Sequence, residues 1–206
     1  MIKNIIFDFG NVIAQFYPEK LTAPFVLDEK TRKQISEVVF DRLYWDRLDD
    51  GTISDDEVKA QICQRAPEEL CRVACTVYDN WICSMTPVEG IKDIVFALKE
   101  SGKKLYLLSN ISIGFAENYH KVPWIKEILY CFDGLVFSGV VGMVKPDRKI
   151  FEYLLDTFSL EADECLFIDD SAKNISGAES AGIKGCLFDG DASALSATLT
   201  NIGILR

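Results

Sequence analysis

The chain of 206 residues is poor in histidine, in positive charge and in long apolar runs. His120, its one histidine, follows Tyr119 on an expected surface helix and reads as a solvated side chain rather than a catalytic base. Lysine and arginine number 22 against 32 aspartates and glutamates, a formal charge of −10. That balance argues against nucleic acid or an anionic membrane as a partner. A phosphorylated ligand would need a local cation. No apolar run is long enough for a bilayer span and the N-terminus shows no signal-like pattern, so a cytoplasmic protein is expected. A calcium loop is missing too. Asp49-Asp50-Gly51 and Asp55-Asp56-Glu57 lack the later bidentate glutamate and read as a solvated turn and a negative helix N-terminus. The seven cysteines are odd in number and sit mostly in apolar contexts, which suits reduced thiols better than a disulfide framework. Cys71 and Cys75 are four apart on an expected helix, but no second ligand pair follows, so zinc is not expected. Repeats and low-complexity segments are absent.

About half the residues are apolar and a quarter charged, an ordinary globular composition. The first twelve residues organise the rest. Ile5, Ile6 and Phe7 read as a strand buried on both faces, ending abruptly in Asp8-Phe9-Gly10-Asn11. A carboxylate there must be hydrogen-bonded, paired or metal-bound to survive partial burial. Open α/β sheets gather their ligand sites at the carboxyl ends of strands.

From about Tyr17 to Met85 only helical patterns appear. Glu29 to Leu43 has apolar residues at helical spacing, Ser54 and Glu57 form a capping-box signature, and Pro67 opens a helix bearing Leu70, Val73, Ala74, Val77 and Trp81 on one face. This block, residues 16–85, inserted into a core of residues 1–15 and 86–206, reads as a lid over the site near Asp8 or as a plain helical packing layer. Beyond Pro87, helices alternate with strands at Lys104–Ser109, Gly134–Ser138, Glu164–Ile168 and Gly185–Phe188. Such alternation predicts right-handed crossovers and a parallel α/β sheet.

Four strand ends then fall on one edge: Asp8, Ser109-Asn110, Lys145 and Asp169-Asp170. The carboxylates would repel unless a cation sat between them, and hard oxygen ligands suit Mg²⁺. Ser109 offers a hydroxyl and, with Asn110, backbone amides to a phosphate. Lys145 supplies the positive charge that the acidic surface lacks. An ionised Asp8 can attack phosphorus.

Asp8-Phe-Gly-Asn-Val12, Ser109-Asn110, Lys145-Pro146 and Asp169-Asp170-Ser171-Ala-Lys-Asn174 together resemble the haloacid dehalogenase superfamily over nearly the whole chain. The opening motif, the Gly51-Thr-Ile-Ser54 stretch and the spacing of the later motifs look closest to its bacterial sugar-phosphatase branch, which includes a glucose-1-phosphate phosphatase. The resemblance implies a Rossmann-like core with a helical cap and a Mg²⁺-dependent phosphatase acting on a small phosphorylated metabolite, such as a hexose 1-phosphate. It makes Asp8 the nucleophile, Ser109, Asn110 and Lys145 the phosphate holders, and Asp170 a metal ligand. Asp169 becomes a second ligand or an outer-shell residue, Asn174 orients them, and the Gly10 carbonyl joins Asp8 on the metal. One position departs from the superfamily pattern. Most of its phosphatases carry a second aspartate two residues after the nucleophile to protonate the leaving oxygen, where this chain has Gly10. The branch shares that glycine, and water or a cap residue could donate the proton. A metal-independent dehalogenase and a non-catalytic phosphate-binding module are the competing readings. Tyr44 and Trp45 could face a substrate but are expected rather to pack the cap, and Arg42 and Arg47 to be cap cations or surface ion pairs. Monomer and dimer both stay open.

Overall fold

The computed structural model describes residues 1–205. The core is a five-stranded parallel sheet made of β1 (Asn4–Phe7), β4 (Lys104–Ser109), β5 (Gly134–Phe137), β6 (Cys165–Asp169) and β7 (Lys184–Leu187). Its order is β5-β4-β1-β6-β7, so the first strand lies at the centre. Phe7 is in register with Leu107 on one side and Ile168 on the other. A two-stranded antiparallel ribbon of β2 (Ala14–Gln15) and β3 (Thr86–Pro87) joins the two ends of the helical block, a pairing with no periodic signal in so short a sequence.

Alternation along the strands sends side chains into two apolar layers. Ile5 and Phe7 point to the same side as Leu105, Leu107, Leu166 and Ile168, whereas Ile6 joins Leu108, Val136 and Phe167 on the opposite face. Both faces are therefore buried, which explains the unbroken apolar runs in the sequence.

The helical block comprises α1 (Pro18–Thr22), α2 (Glu29–Val39), α3 (Arg42–Asp49), α4 (Asp55–Arg65) and α5 (Cys71–Ser84). The single helix expected over Glu29–Leu43 is two. Phe40 closes α2, and the Asp41 carboxylate accepts the Leu43 amide at 2.8 Å to start α3. That local cap overrides the apolar periodicity and leaves Leu43 exposed. The capping box forms as the Ser54/Glu57 spacing predicts.

The expectation of reduced thiols throughout fails at one pair, because Cys63 and Cys71 form a disulfide. The 3₁₀ turn over Glu68–Leu70 folds the start of α5 back on the end of α4 and brings the two Cα atoms to 4.8 Å, within bridging range. Cys75 stays a thiol, its sulfur 3.4 Å from that of Cys63.

Seven α-helices follow among the described residues. They are α6 (Ile91–Glu100), α7 (Ile113–Asn118), α8 (Pro123–Leu129), α9 (Ser138–Val141), α10 (Arg148–Phe158), α11 (Ala172–Ser180) and α12 (Ala192–Asn201). Ile150, Phe151 and Leu154 of α10 and Ala178 of α11 cover the Ile6 face, while α6, α8 and α12 contribute to the other layer. No described helix is long and apolar enough to cross a membrane.

Candidate active site

The carboxyl ends of β1, β4 and β6 meet at one edge because the strands are parallel and adjacent. Asp8 follows β1 directly, and its amide bonds to the Ile168 carbonyl at 2.9 Å. Asp8 Oδ1 accepts the Phe9 amide at 2.6 Å and the Lys145 ammonium at 2.8 Å. Oδ2 accepts no hydrogen bond from a described residue. Lys145 Nζ also donates to Asp169 Oδ2 at 2.7 Å and lies 5.2 Å above the Phe167 ring.

All three ionisable groups are buried: Asp8 is 8% exposed, Lys145 4% and Asp169 not at all. Burial dominates Asp8 and pushes its carboxyl up to about 6; Lys145 pulls the other way and Asp169 adds to the rise. Burial also works against the Lys145 charge, but the two carboxylates outweigh it and leave the ammonium above its usual range. Lysine thus stays charged where a lone ammonium would not survive.

Asn174 and Asn110 set this trio in place. Asn174 donates to both oxygens of Asp169 at 3.0 Å, and the Ser171 amide adds a bond of 2.8 Å. With the lysine, these bonds occupy most of the acceptor capacity of Asp169. The Asn110 side chain accepts the Lys145 amide at 2.8 Å and donates to the Lys145 carbonyl at 2.9 Å. It therefore pins the lysine backbone, a function the sequence did not reveal. Ser109 is buried, lines the cavity above the trio, and gives its hydroxyl to no described residue.

Asp8, Asp169 and Asp170 each place a carboxylate oxygen within 4.8 Å of the others. Three carboxylates against one ammonium leave a negative excess that a divalent cation would neutralise. Gly10 lines the same cavity and its carbonyl accepts no hydrogen bond from a described residue. Burial raises the Asp170 carboxyl and Asp169 adds to that, while a hydrogen bond from the Asn11 side chain opposes. This oxygen set fits a hard cation such as Mg²⁺.

The cavity measures about 470 Å³ and lies between the sheet edge and the helical block. Phe16, Phe40, Trp45, Trp81 and Met85 form its apolar wall, and Arg42, Asp49 and Lys173 its remaining charged members. Trp45 packs edge-on against Trp81 and donates from Nε1 to the Val39 carbonyl, so it packs the helical block and lines the cavity at once. Tyr44 is fully buried within the helical block. Arg42 reaches the cavity while pairing with Asp46 at 2.8 Å; Arg47 instead bonds the Thr52 carbonyl. His120 is exposed and does not line the cavity. Asp49 departs most from expectation. The turn read as solvated places this residue in the cavity, where burial is the main cause lifting its carboxyl to about 7. No periodic or motif signal separates it from its neighbour Asp50.

Fold and site together define an α/β protein with a buried aspartate–lysine pair at the carboxyl edge of a parallel sheet. A model of the haloacid dehalogenase-like hydrolases matches residues 2–182, and the chain belongs to that family. It is 25% identical to a sesquiterpene phosphatase of Aspergillus oryzae over 183 residues, 89% of this chain and 88% of that one. It is 29% identical over 190 residues to a D-ribitol-5-phosphate phosphatase of Bacteroides thetaiotaomicron, covering 85% and 86% of the two chains. A haloacid dehalogenase-family enzyme of the same bacterium, solved with magnesium and inorganic phosphate, superposes with a TM-score of 0.70 at 23% identity over 95% of this chain and 99% of that one.

Proposed function

We propose that the chain is a Mg²⁺-dependent phosphatase of a small phosphorylated metabolite, with residues 1–15 and 86–206 as its core and 16–85 as its cap. The supporting observation is the Asp8–Lys145–Asp169 trio, in which one oxygen of the cavity-lining Asp8 is held at 2.6 and 2.8 Å and the other has no partner among the described residues. A carboxylate fixed through one oxygen presents the second for attack on phosphorus. The product of that attack is an aspartyl-phosphate on Asp8, which water then hydrolyses. Lys145 and Ser109 hold the phosphoryl oxygens, and Asn110 keeps the lysine backbone in position. Asp8, Asp170 and the Gly10 carbonyl would ligate the metal. Asp169, already engaged by Lys145 and Asn174, would support the site from outside that shell. Bound Mg²⁺ supplies charge neutralisation for the phosphoryl oxygens and for the carboxylate cluster.

For the substrate we favour a sugar phosphate such as a hexose 1-phosphate. Its anomeric oxygen leaves more readily than an alkyl oxygen, and Trp45 offers an aromatic surface in a cavity of suitable volume. The phosphatase names of the relatives agree with the reaction class. The three clustered carboxylates speak against a metal-free dehalogenase.

Phosphate release from a panel of sugar phosphates, with Mg²⁺ or with EDTA, tests this reading. Release that needs Mg²⁺ and disappears in Asp8→Asn is expected. Chelator-resistant dehalogenation of 2-chloropropionate, or no phosphate release from any ester, would overturn it.

A further inference from the structure

The nucleophile motif leaves the reaction without an acid, because Gly10 stands where a carboxyl group is wanted. The carboxylates lining the cavity are Asp8, Asp49 and Asp170, and no histidine or tyrosine joins them. Asp8 must attack and Asp170 lies in the metal cluster. Asp49 is therefore the one lining carboxyl group without another task. Among the described residues, its side chain has no ion-pair or hydrogen-bond partner, although Arg42 on the same helix pairs with Asp46.

Its placement is costly for stability. Asp49 is the last residue of α3, where the helix dipole disfavours a negative charge. The turn that follows is a Schellman motif, with Gly51 N–H bonded to the Leu48 carbonyl at 3.2 Å and Thr52 N–H to the Arg47 carbonyl at 2.8 Å. Gly51 has φ +75°, and a Cβ on it would run into the Gly139 carbonyl oxygen. A Cβ on Gly139 would in turn stand 2.9 Å from the carbonyls of Leu48 and Ile111. Two glycines thus let the end of α3 dock backbone to backbone on the core. Gly139 is tied to the β4 loop by its amide bond to the Ile111 carbonyl at 3.0 Å. The cap residue is held against the loop that carries Ser109 and Asn110, as a positioned proton donor requires.

We propose that Asp49 is the general acid–base of the reaction, supplied by the cap in place of the residue missing at Gly10; this rests on the phosphatase reading above. As Asp8 bonds to phosphorus, the P–O bond to the alcohol breaks. The departing oxygen keeps the bonding pair and takes the proton from Asp49. Alcohol, aspartyl-phosphate and the Asp49 carboxylate result. A water then attacks the phosphorus, gives its proton to Asp49, and releases Asp8 as carboxylate together with inorganic phosphate.

The charged groups facing Asp49 agree with this cycle. Arg42 opposes the rise of its carboxyl, Asp46 and Asp8 favour the protonated form, and Lys145 again opposes; burial is the largest influence. Asp170 and Lys173 complete the charged lining. A carboxyl group lifted to about 7 carries its proton near neutral pH and can take it back.

The test compares leaving groups. Wild type, Asp49→Asn, Asp49→Glu and Asp49→Asn/Gly10→Asp are assayed with Mg²⁺ on p-nitrophenyl phosphate, whose phenolate leaves without a proton, and on a sugar phosphate ester of a primary alcohol. For Asp49→Asn the expected result is a loss of about 10²–10⁴-fold in kcat on the alkyl ester and little change on the aryl ester. The alkaline limb of the alkyl-ester pH profile should disappear with it. Asp49→Glu should recover part of the loss. Asp49→Asn/Gly10→Asp should also recover it, because a Cβ at Gly10 meets nothing within 4 Å. Equal losses on both esters, or no loss on either, with wild type active, would overturn the assignment of Asp49 alone. A wild type that releases phosphate from neither ester would overturn the phosphatase reading itself.

Discussion

Replacing Asp49 with asparagine should make the protein more stable as well as slower. The carboxyl group goes from an ordinary value of 3.8 to about 7 in the folded chain, with burial as the largest cause. The folded state therefore holds a proton that the unfolded state releases. Stability contributed by this group is fully present below about 4 and is lost as pH rises toward 7. At about 1.4 kcal/mol for each pH unit, the wild-type cost by pH 8 is about 4 kcal/mol at most. Asp49 keeps some contact with solvent, so screening brings the figure nearer about 2 kcal/mol. Asparagine, with a similar shape and no charge, escapes this cost. Urea unfolding of both proteins at pH 5 and pH 8, with EDTA present, measures the difference. The advantage of Asp49→Asn should widen by about 1–3 kcal/mol between the two pH values. At pH 8 a difference of about 2 kcal/mol amounts to a rise in melting temperature on the order of 4–8 °C for a chain of this size. Parallel stability curves would refute the protonated, buried carboxyl group and remove the physical basis for its role as an acid. A functional residue that lowers stability is expected wherever an active site opposes good packing.

Removing the Lys145 charge with Lys145→Met leaves two buried carboxylates facing each other, at a cost of about 3–5 kcal/mol near pH 8. Adding Asp169→Asn should return part of it, read by urea unfolding. Asn110→Ala loses both bonds to the Lys145 backbone and should cost about 1–3 kcal/mol while lowering kcat; unchanged stability would show that the loop holds the lysine unaided. Gly51→Ala should destabilise by roughly 2–4 kcal/mol, through its positive φ and the contact with Gly139. Gly102→Ala, with φ +80° and open space around its Cβ, should cost only about 1 kcal/mol, so equal losses in calorimetry would argue against backbone docking at Gly51.

Much of the molecule was legible in the chain because periodicity is a local property. Alternating strands and helices implied a parallel sheet, and a parallel sheet necessarily collects its strand ends on one edge. Asp8, Ser109 and Asp169 could thus be brought to one edge from topology alone; Lys145, expected at a strand end too, instead follows α9, well beyond the end of β5 at Phe137, and reaches Asp8 and Asp169 from that loop. What spacing could not supply was the direction of each side chain. Asn110 and Asn174 are polar residues beside polar residues, and only the folded loops show that the first grips a backbone and the second a carboxylate.

The cap marks the other limit. Its helices were readable, but a local cap at Asp41 divided one of them, and a tight 3₁₀ turn brought Cys63 to Cys71. Asp49 and Asp50 are chemically identical neighbours in the sequence. One bonds the Thr52 amide and hydroxyl in an exposed turn, and the other enters the cavity. The docking of Gly51 on Gly139, 88 positions along the chain, decides which is which. A contact over that separation leaves no mark in local composition. Periodicity and motif spacing were enough to establish the parallel sheet, the carboxylates at the ends of its first and fourth expected strands and the gap at Gly10. Tertiary structure alone decided what stands over that gap, because burial and charge at Asp49 exist only once cap and core have met.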